Sequence, residues 1–158
     1  MSEIINLQVE SPKQTIQLNG NPEKVIELDL GDSNIITRLS EGTDKIEELV
    51  KERQNLHELL ANGNDSDESN ISYYKNLAGK FKELENAMRK IINDIFDFDV
   101  CTPFLGTSSV FSIKNGEFAF ERIINSLMGL YEDSIRKESN NLKQRLSKHT
   151  DKYLKNKK

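Results

Sequence analysis

The residues that could carry out catalysis are few and lie far apart in the sequence. Cys101 is the single cysteine, and the only histidines are His57 and His149. A cysteine nucleophile needs a base held beside it, and no sequence signature places either histidine near Cys101. We therefore interpret Cys101 as a small buried thiol beside Pro103, and we predict that the chain is not an enzyme.

Metal-binding and phosphate-binding patterns are incomplete. Asp65, Asp67 and Glu68 lie close together, but their segment lacks the central glycine and the twelfth-position glutamate of an EF-hand loop. Residues 106–109 contain one glycine and lack the Gly-Lys-Ser/Thr ending of a phosphate-binding loop. We therefore predict no metal and no cofactor, and we interpret residues 62–70 as a solvated polar linker.

Positive charge is concentrated at the C-terminal end. From Lys143 to Lys158 the chain carries seven Lys or Arg against one Asp, whereas the formal charge of the whole chain is −4, so the preceding residues carry −10. A basic end can meet phosphates, but the acidic remainder would repel nucleic acid. An acidic protein surface or a solvated tail is therefore favoured over nucleic acid. The basic residues that we single out are Lys143, Arg145, Lys148, Lys152 and Lys155.

Length and composition predict one modest domain without a membrane span. A chain of 158 residues suits a single domain. Hydrophobic residues make up 35% and charged residues 30%, which predicts a thin core and leaves helix surface for partners. The single cysteine fits a reducing compartment, the acidic N-terminus does not have the pattern of a signal peptide, and no apolar run approaches the ~20 residues that cross a bilayer.

Two apolar stripes predict long helices, from about residue 32 to 61 and from about 72 to 97. Gly42 should weaken the first helix by roughly 1 kcal/mol relative to Ala. Because Gly42 and Arg53 interrupt the first stripe, we expect the two helices to face each other in a packed domain rather than to form a long coiled coil. The stripes with 4,3 spacing are Ile35, Leu39, Gly42, Ile46, Leu49, Arg53, Leu56 and Leu60, then Tyr74, Leu77, Phe81, Leu84, Met88, Ile91, Ile95 and Phe98.

The remaining segments complete a mainly α prediction of α+β type: three long helices with a small N-terminal antiparallel hairpin or sheet. Residues 5–9 alternate apolar and polar side chains, residues 15–18 and 25–30 are two further strand candidates, and Asn19-Gly20 is a hairpin signal. Pro103 and Gly106 should break the helix and leave 98–116 as an irregular cap. A third helix should begin near Glu117. The predicted regions are a β segment at 1–30 packed on the helices, a helical domain at 31–137, and a basic helical extension or tail at 138–158.

This order of elements resembles a known family. The sequence VIELDLGDSN at 25–34 passes into a helix that contains Arg38, and NGEFAFER at 115–122 follows a Phe-rich segment and leads into the last helix. In these features residues 22–135 resemble the small tail assembly chaperone-like proteins of phages and prophages of Gram-positive bacteria. The resemblance implies a non-enzymatic protein of the host bacterial cytoplasm. It would bind the long helical tape measure protein and keep it soluble until the tail tube polymerises around it.

The resemblance implies apolar contact with that partner, since long apolar helix stripes would otherwise aggregate. The expected contact residues serve either as a groove or as plain core, and the sequence does not separate these roles. Self-association is also expected. Two alternatives stay open: a structural component of the virion or tail, and a small nucleic-acid-binding regulator that uses the basic tail. The contact residues are Leu49, Leu56, Leu60, Tyr74, Leu77 and Phe81.

Overall fold

The computed structural model describes residues 2–65 and 68–155, and it describes side chains as far as Lys148. The predicted mainly α class is confirmed: three long helices accompany a small N-terminal antiparallel hairpin. A short helix and a second small hairpin join the last two long helices. In chain order the elements are β1 (Gln14–Leu18), β2 (Asn21–Leu28), α1 (Asn34–Asn62), α2 (Asn70–Phe96), α3 (Cys101–Leu105), β3 (Ile113–Lys114), β4 (Glu117–Phe118) and α4 (Ala119–Lys155).

The first hairpin forms at the predicted Asn-Gly turn. Asn19 and Gly20 have φ values of 52° and 69°, the left-handed conformation that a tight two-residue turn requires. Ile16 of β1 lies opposite Ile26 of β2, so both side chains share the face that packs on the helices. Ile26 is completely buried, and this face anchors the hairpin to the core.

The predicted strand at Ile5, Leu7 and Val9 is wrong for the single chain. Residues 2–13 have no regular secondary structure, and each of them is exposed. No residue of this segment has a positive φ, and Pro12 holds the residue before it in an extended conformation. The segment therefore has no tight turn that would fold it back onto β1. We call residues 2–13 the N-terminal arm.

An arginine joins the start of α1 to the end of α2. The Arg38 side chain donates from Nε to the Ile95 carbonyl at 2.6 Å and from Nη1 to Asp32 Oδ2 at 3.1 Å. Asp32 Oδ1 accepts the Asn34 N–H at 2.9 Å, so Asp32, rather than Ser33, caps α1 with its side chain. That N–H, together with Arg38, lowers the pKa of Asp32. The carboxylate therefore stabilises the fold above about pH 4, and this contribution is lost as pH falls towards the lowered pKa.

Helices α1 and α2 form an antiparallel pair, as the facing stripes predicted. At the open end of the pair, a Cβ on Gly42 would lie only 2.7 Å from Ile95 Cδ1, so Gly42 allows close contact between the helices. At the connected end, the Tyr73 hydroxyl lies 3.0 Å from both the Leu59 and the Gly63 carbonyl oxygens. Gly42 therefore has a packing role, which was not predicted, in addition to the expected weakening of α1.

The prediction that Pro103 breaks the chain's helical structure is wrong, because Pro103 lies inside α3. It is the third residue of that helix, where a missing N–H costs little. The Asn93 side chain of α2 accepts the N–H groups of Val100 and Cys101 at 3.0 and 3.1 Å and so caps α3. Gly106, with φ of 56°, ends α3 as predicted.

The first third of helix α4 closes the core, and more than half of the helix extends beyond it. Tyr131 is almost fully buried, and its ring centre lies 6.2 Å from that of Phe96. From Arg136 to Lys148 every side chain is exposed. The helical residues 136–155 would extend about 30 Å at ~1.5 Å per residue. The buried α4 side chains are Ala119, Phe120, Ile123, Leu127, Met128 and Tyr131.

A turn at Asn115-Gly116 organises the segment that was expected to be irregular. These residues have φ values of 54° and 77° and connect β3 to β4. The Asn-Gly pair was the available sequence signal for this hairpin.

Within the described parts of the chain, no helix has the length and apolar character needed to span a membrane.

Gly42 of α1 and Gly79 of α2 should respond oppositely to alanine. A Cβ at Gly79 meets no atom within 4 Å, so Gly79→Ala should raise the free energy of unfolding by about 0.5–1 kcal/mol. Gly42→Ala forces Ile95 to move and should be at least ~1 kcal/mol less stable than Gly79→Ala. Denaturant unfolding of both variants measures the difference. Equal gains from the two substitutions would contradict close packing at Gly42.

Candidate functional site

A groove with an apolar floor lies between the middle of α1 and the middle of α2. Leu49 and Leu56 lie seven residues apart on one face of α1, and Leu84 and Ala87 face them from α2. The groove has a volume of about 470 Å³, which falls within the ~300–1,000 Å³ of typical ligand clefts. Four exposed side chains surround this apolar floor and give its rim charges of both signs: Glu52, Asn55, Lys80 and Glu83.

The six predicted contact residues fall into three groups. Leu49 and Leu56 line the groove, although Leu56 is itself mostly buried. Leu77 is a core residue at 5% exposure, and Phe81 is partly buried against the core. Leu60 and Tyr74 are 41% and 51% exposed. The structure thus brings Leu49 and Leu56 to the groove, places Leu77 and Phe81 against the core, and leaves the other two on the surface. Their roles in binding remain predictions.

The residues on the α2 side of the groove were not among the predicted contact residues. Leu84 belongs to the predicted apolar stripe, but Ala87 lies outside it and is half-buried. Leu84 and Ala87 are three residues apart, so they are neighbours on one helix face. This spacing was the available signal, and an alanine there leaves room that a larger side chain would fill.

Arg53 interrupts the apolar stripe of α1 in the sequence, but its side chain packs against two aromatic rings. Its guanidinium carbon lies 5.4 Å from the ring centre of Phe111 and 5.2 Å from that of Phe118. A guanidinium at this distance is attracted to the negative face of an aromatic ring. Arg53 therefore holds the β3–β4 hairpin against α1. It also lines a second, more polar cavity of about 660 Å³ with Phe81.

An ion pair on α2 fixes the loop between α3 and β3. Glu85 accepts the Arg89 Nε–H at 3.0 Å, the Val110 N–H at 2.9 Å and the Ser109 hydroxyl at 2.6 Å. Arg89 also donates to the Gly106 and Ser108 carbonyl oxygens at 3.2 and 2.7 Å. The two side chains are only 22% and 20% exposed. The two charged side chains therefore hold the loop that carries Val110 and Phe111 in place.

Cys101 is buried, as predicted, at the start of α3. Its side chain is inaccessible, and Sγ lies 3.8 Å from the Arg89 carbonyl oxygen. Burial raises the pKa of the thiol to about 12. A thiol with a raised pKa is almost entirely protonated at neutral pH and is a poor nucleophile.

The described parts of the acidic linker and the histidines form no cluster that could hold a metal ion. His57 is exposed on α1. Asp67 lies outside the described residues, and so does the side chain of His149. In residues 2–65 and 68–148, no group of three or more His, Cys, Asp or Glu side chains is arranged to hold a metal ion.

The basic residues lie on the part of α4 that extends beyond the core. Lys143, Arg145 and Lys148 are all exposed. The side chains of Lys152 and Lys155 lie outside the described part of the structure. These exposed positive charges are open to a charged partner, so the nucleic-acid and acidic-surface hypotheses both remain predictions.

Comparisons with known proteins give no family for this chain. It matches no protein-family model, no curated protein sequence and no solved structure. The resemblance to tail assembly chaperones therefore remains a prediction that depends on the sequence features described above.

Removing Glu85 should cost far more than removing an exposed ion pair on the same helix. Glu85→Ala leaves the buried Val110 N–H and the Arg89 Nε–H without their acceptor, so the free energy of unfolding should fall by about 2–3 kcal/mol. Lys90→Ala breaks the exposed Lys90–Asp94 pair and should change it by less than ~0.5 kcal/mol. Urea denaturation compares the two variants. Similar small losses would show that the Glu85 network does not hold the loop.

The Cys101 thiol should be protected from alkylation in the folded chain. At pH 8 iodoacetamide should react at least ~100-fold more slowly with the native protein than with the protein in guanidinium chloride, because burial blocks access and suppresses the thiolate. Mass spectrometry of the modified chain measures both rates. A native rate within a few-fold of the denatured one would contradict the buried, protonated state.

Proposed function

We propose that this chain is a non-enzymatic tail assembly chaperone that binds the helical tape measure protein of a phage and keeps it soluble during tail assembly. The observation that carries the proposal is the apolar groove between α1 and α2. Its floor presents leucine side chains and its rim presents charges of both signs. An amphipathic helix binds such a surface through side chains spaced three and four residues apart.

The size of the groove suits a partner with many equivalent stripes. At about 470 Å³ it holds a few large apolar side chains, so one contact is expected to be weak. A tape measure protein repeats its apolar stripe along a great length, and many weak contacts along one chain increase the overall affinity. Weak individual contacts also allow release when tube subunits replace the chaperone.

The mixed charges on the rim favour a helix over an extended apolar peptide. Glu52 and Glu83 lie on opposite helices, with Lys80 beside the same groove. A bound helix presents charged residues on both flanks of its apolar stripe, and these can pair with rim residues of opposite sign. Such pairs add little affinity in solvent but fix the orientation of the partner.

A lysine placed in the groove should abolish chaperone activity. Ala87→Lys fills the groove with a charged side chain, whereas Ala78→Lys makes the same change at an exposed position of α2. In co-expression with a tape measure protein, the unmodified chain and Ala78→Lys should raise the soluble fraction of that protein. Ala87→Lys should lose most of this effect, because a buried unpaired charge opposes apolar contact.

Circular dichroism and thermal unfolding serve as the folding controls for both variants. A folded Ala87→Lys protein with undiminished chaperone activity would contradict the groove as the binding surface. A chain that never raises the soluble fraction of a tape measure protein would contradict the function itself. Abundant copies in purified particles, measured by mass spectrometry, would instead favour the structural virion or tail component.

A further inference from the structure

The N-terminal arm has the alternating pattern of a half-buried strand, but in the described chain it pairs with no strand. Ile5, Leu7 and Val9 are 87%, 84% and 80% exposed. Their alternation with polar residues gives one apolar and one polar face when the arm is extended. Exposure of such a segment is unfavourable, and it is a template for pairing with another strand.

An unpaired edge of matching character lies immediately after the arm. The first sheet contains only β1 and β2, so in the described chain β1 has no strand neighbour on its other side. Alternate residues of β1 therefore turn backbone N–H and C=O groups away from β2. Ile16 of β1 is only partly buried, and a strand added at this edge would cover it.

The arm does not fold back onto β1 of its own chain. A tight hairpin needs residues with positive φ, and none between residues 2 and 13 adopts one. Pro12 keeps the preceding residue extended, and the Lys13 N–H is bonded to Ser11 Oγ at 3.3 Å. The arm therefore leaves β1 in an extended conformation.

We propose that two copies of this chain associate by exchanging their N-terminal arms, each arm adding an antiparallel strand to the free edge of β1 in the other copy. In each chain the arm and β1 are two strand segments joined by a β-bulge at Ser11 and Pro12, and the two chains lie side by side about a two-fold axis at this point. The bulge shifts the alternation of side chains by one residue, so that Leu7 and Val9 lie on the same face of the sheet as Ile16. With β2 of each copy outside these segments, the two chains form a four-stranded antiparallel sheet. The contact is self-complementary, as a two-fold dimer interface requires.

The pattern of side chains selects one register. Leu7 opposite Ile16 and Val9 opposite Gln14 put the apolar face of the arm on the core side of the sheet, because residues directly opposite share a face. The same register puts Glu10 opposite Lys13 of the other copy, on the solvent side. A shift by one residue would turn the apolar side chains outwards. A shift by two residues would lose the Glu10–Lys13 pair.

Pro12 fits this arrangement because it lies at the axis. Proline cannot donate a ladder hydrogen bond and is disfavoured within a central strand. In the proposed register it divides the interface into two equivalent short ladders, each formed by an arm and a β1 strand. The two ladders make the same apolar contacts, so each arm side chain that stabilises the dimer does so twice, once in each ladder.

Paired substitutions in the arm test the exchange without disturbing the core, since residues 2–13 are all exposed. Sedimentation equilibrium should show a dimer for the unmodified chain. Leu7→Lys should weaken it at least ~10-fold, because each copy then places a charge on the apolar face. Gln8→Lys makes the same change on the polar face and should leave the dimer within about two-fold. A monomeric unmodified chain, or equal effects of the two variants, would overturn the proposal.

A charge exchange tests the register. Glu10→Lys places like charges opposite each other and should weaken the dimer, whereas adding Lys13→Glu to that variant should restore it. Failure of the second substitution to restore association would contradict the proposed pairing of these residues.

Disulfide trapping distinguishes exchange from an intrachain hairpin. Gln8 and Thr15 lie opposite each other in the proposed register, so Gln8→Cys mixed with a mass-tagged Thr15→Cys should form a mixed disulfide dimer under mild oxidation. Gln8→Cys mixed with Glu47→Cys, an exposed position on α1, gives the background. Trapping no greater than this background would refute the exchange. So would an intramolecular disulfide in a chain that carries both Gln8→Cys and Thr15→Cys.

Discussion

The close approach of α1 and α2 at Gly42 is the constraint on which the rest of the fold depends. Only a residue without a side chain allows Ile95 to lie directly against the α1 backbone. That contact brings the Ile95 carbonyl within reach of Arg38, which in turn holds Asp32 at the start of α1. Tyr131 of α4 then packs against Phe96, the residue after Ile95. One close helix contact therefore links the first capping residue, the end of α2 and the closing helix.

The groove follows from the same pairing. Where Gly42 meets Ile95 the helices are in contact, but at Leu49 and Leu56 they leave a volume of about 470 Å³ opposite Leu84 and Ala87. The polar groups that could compete for this space are used elsewhere. Arg53 covers two phenylalanine rings, and Glu85 and Arg89 hold the 106–111 loop. Apolar surface is thus left open between the exposed charges of the groove rim, while Arg53, Glu85 and Arg89 have structural roles.

The long helices were predictable because apolar residues at helical spacing mark the buried face of a helix. The facing stripes were predicted correctly for that reason. The Asn19-Gly20 turn was predicted correctly because these two residue types tolerate the positive φ that a tight turn requires. The roles of Gly42, Arg53 and Glu85 were not predictable from periodicity, because each depends on a partner distant in sequence: Ile95, Phe111 and Val110, respectively. The groove needed the same long-range information, since Ala87 matters only through what it faces. The alternation at residues 5–9 likewise describes a strand face without specifying the strand that pairs with it.

The arm and the groove belong to different parts of the molecule, and this separation has a functional consequence. The arm precedes β1, whose hairpin packs on the core through Ile16 and Ile26, whereas the groove lies between the middles of α1 and α2. Arm exchange would use backbone hydrogen bonds and a fixed register, which favour one defined partner. The groove offers side-chain contact without backbone pairing, which tolerates variation along a helical partner. A dimer joined through its arms would keep both grooves free and present two of them to one long helix, which increases affinity without any new contact.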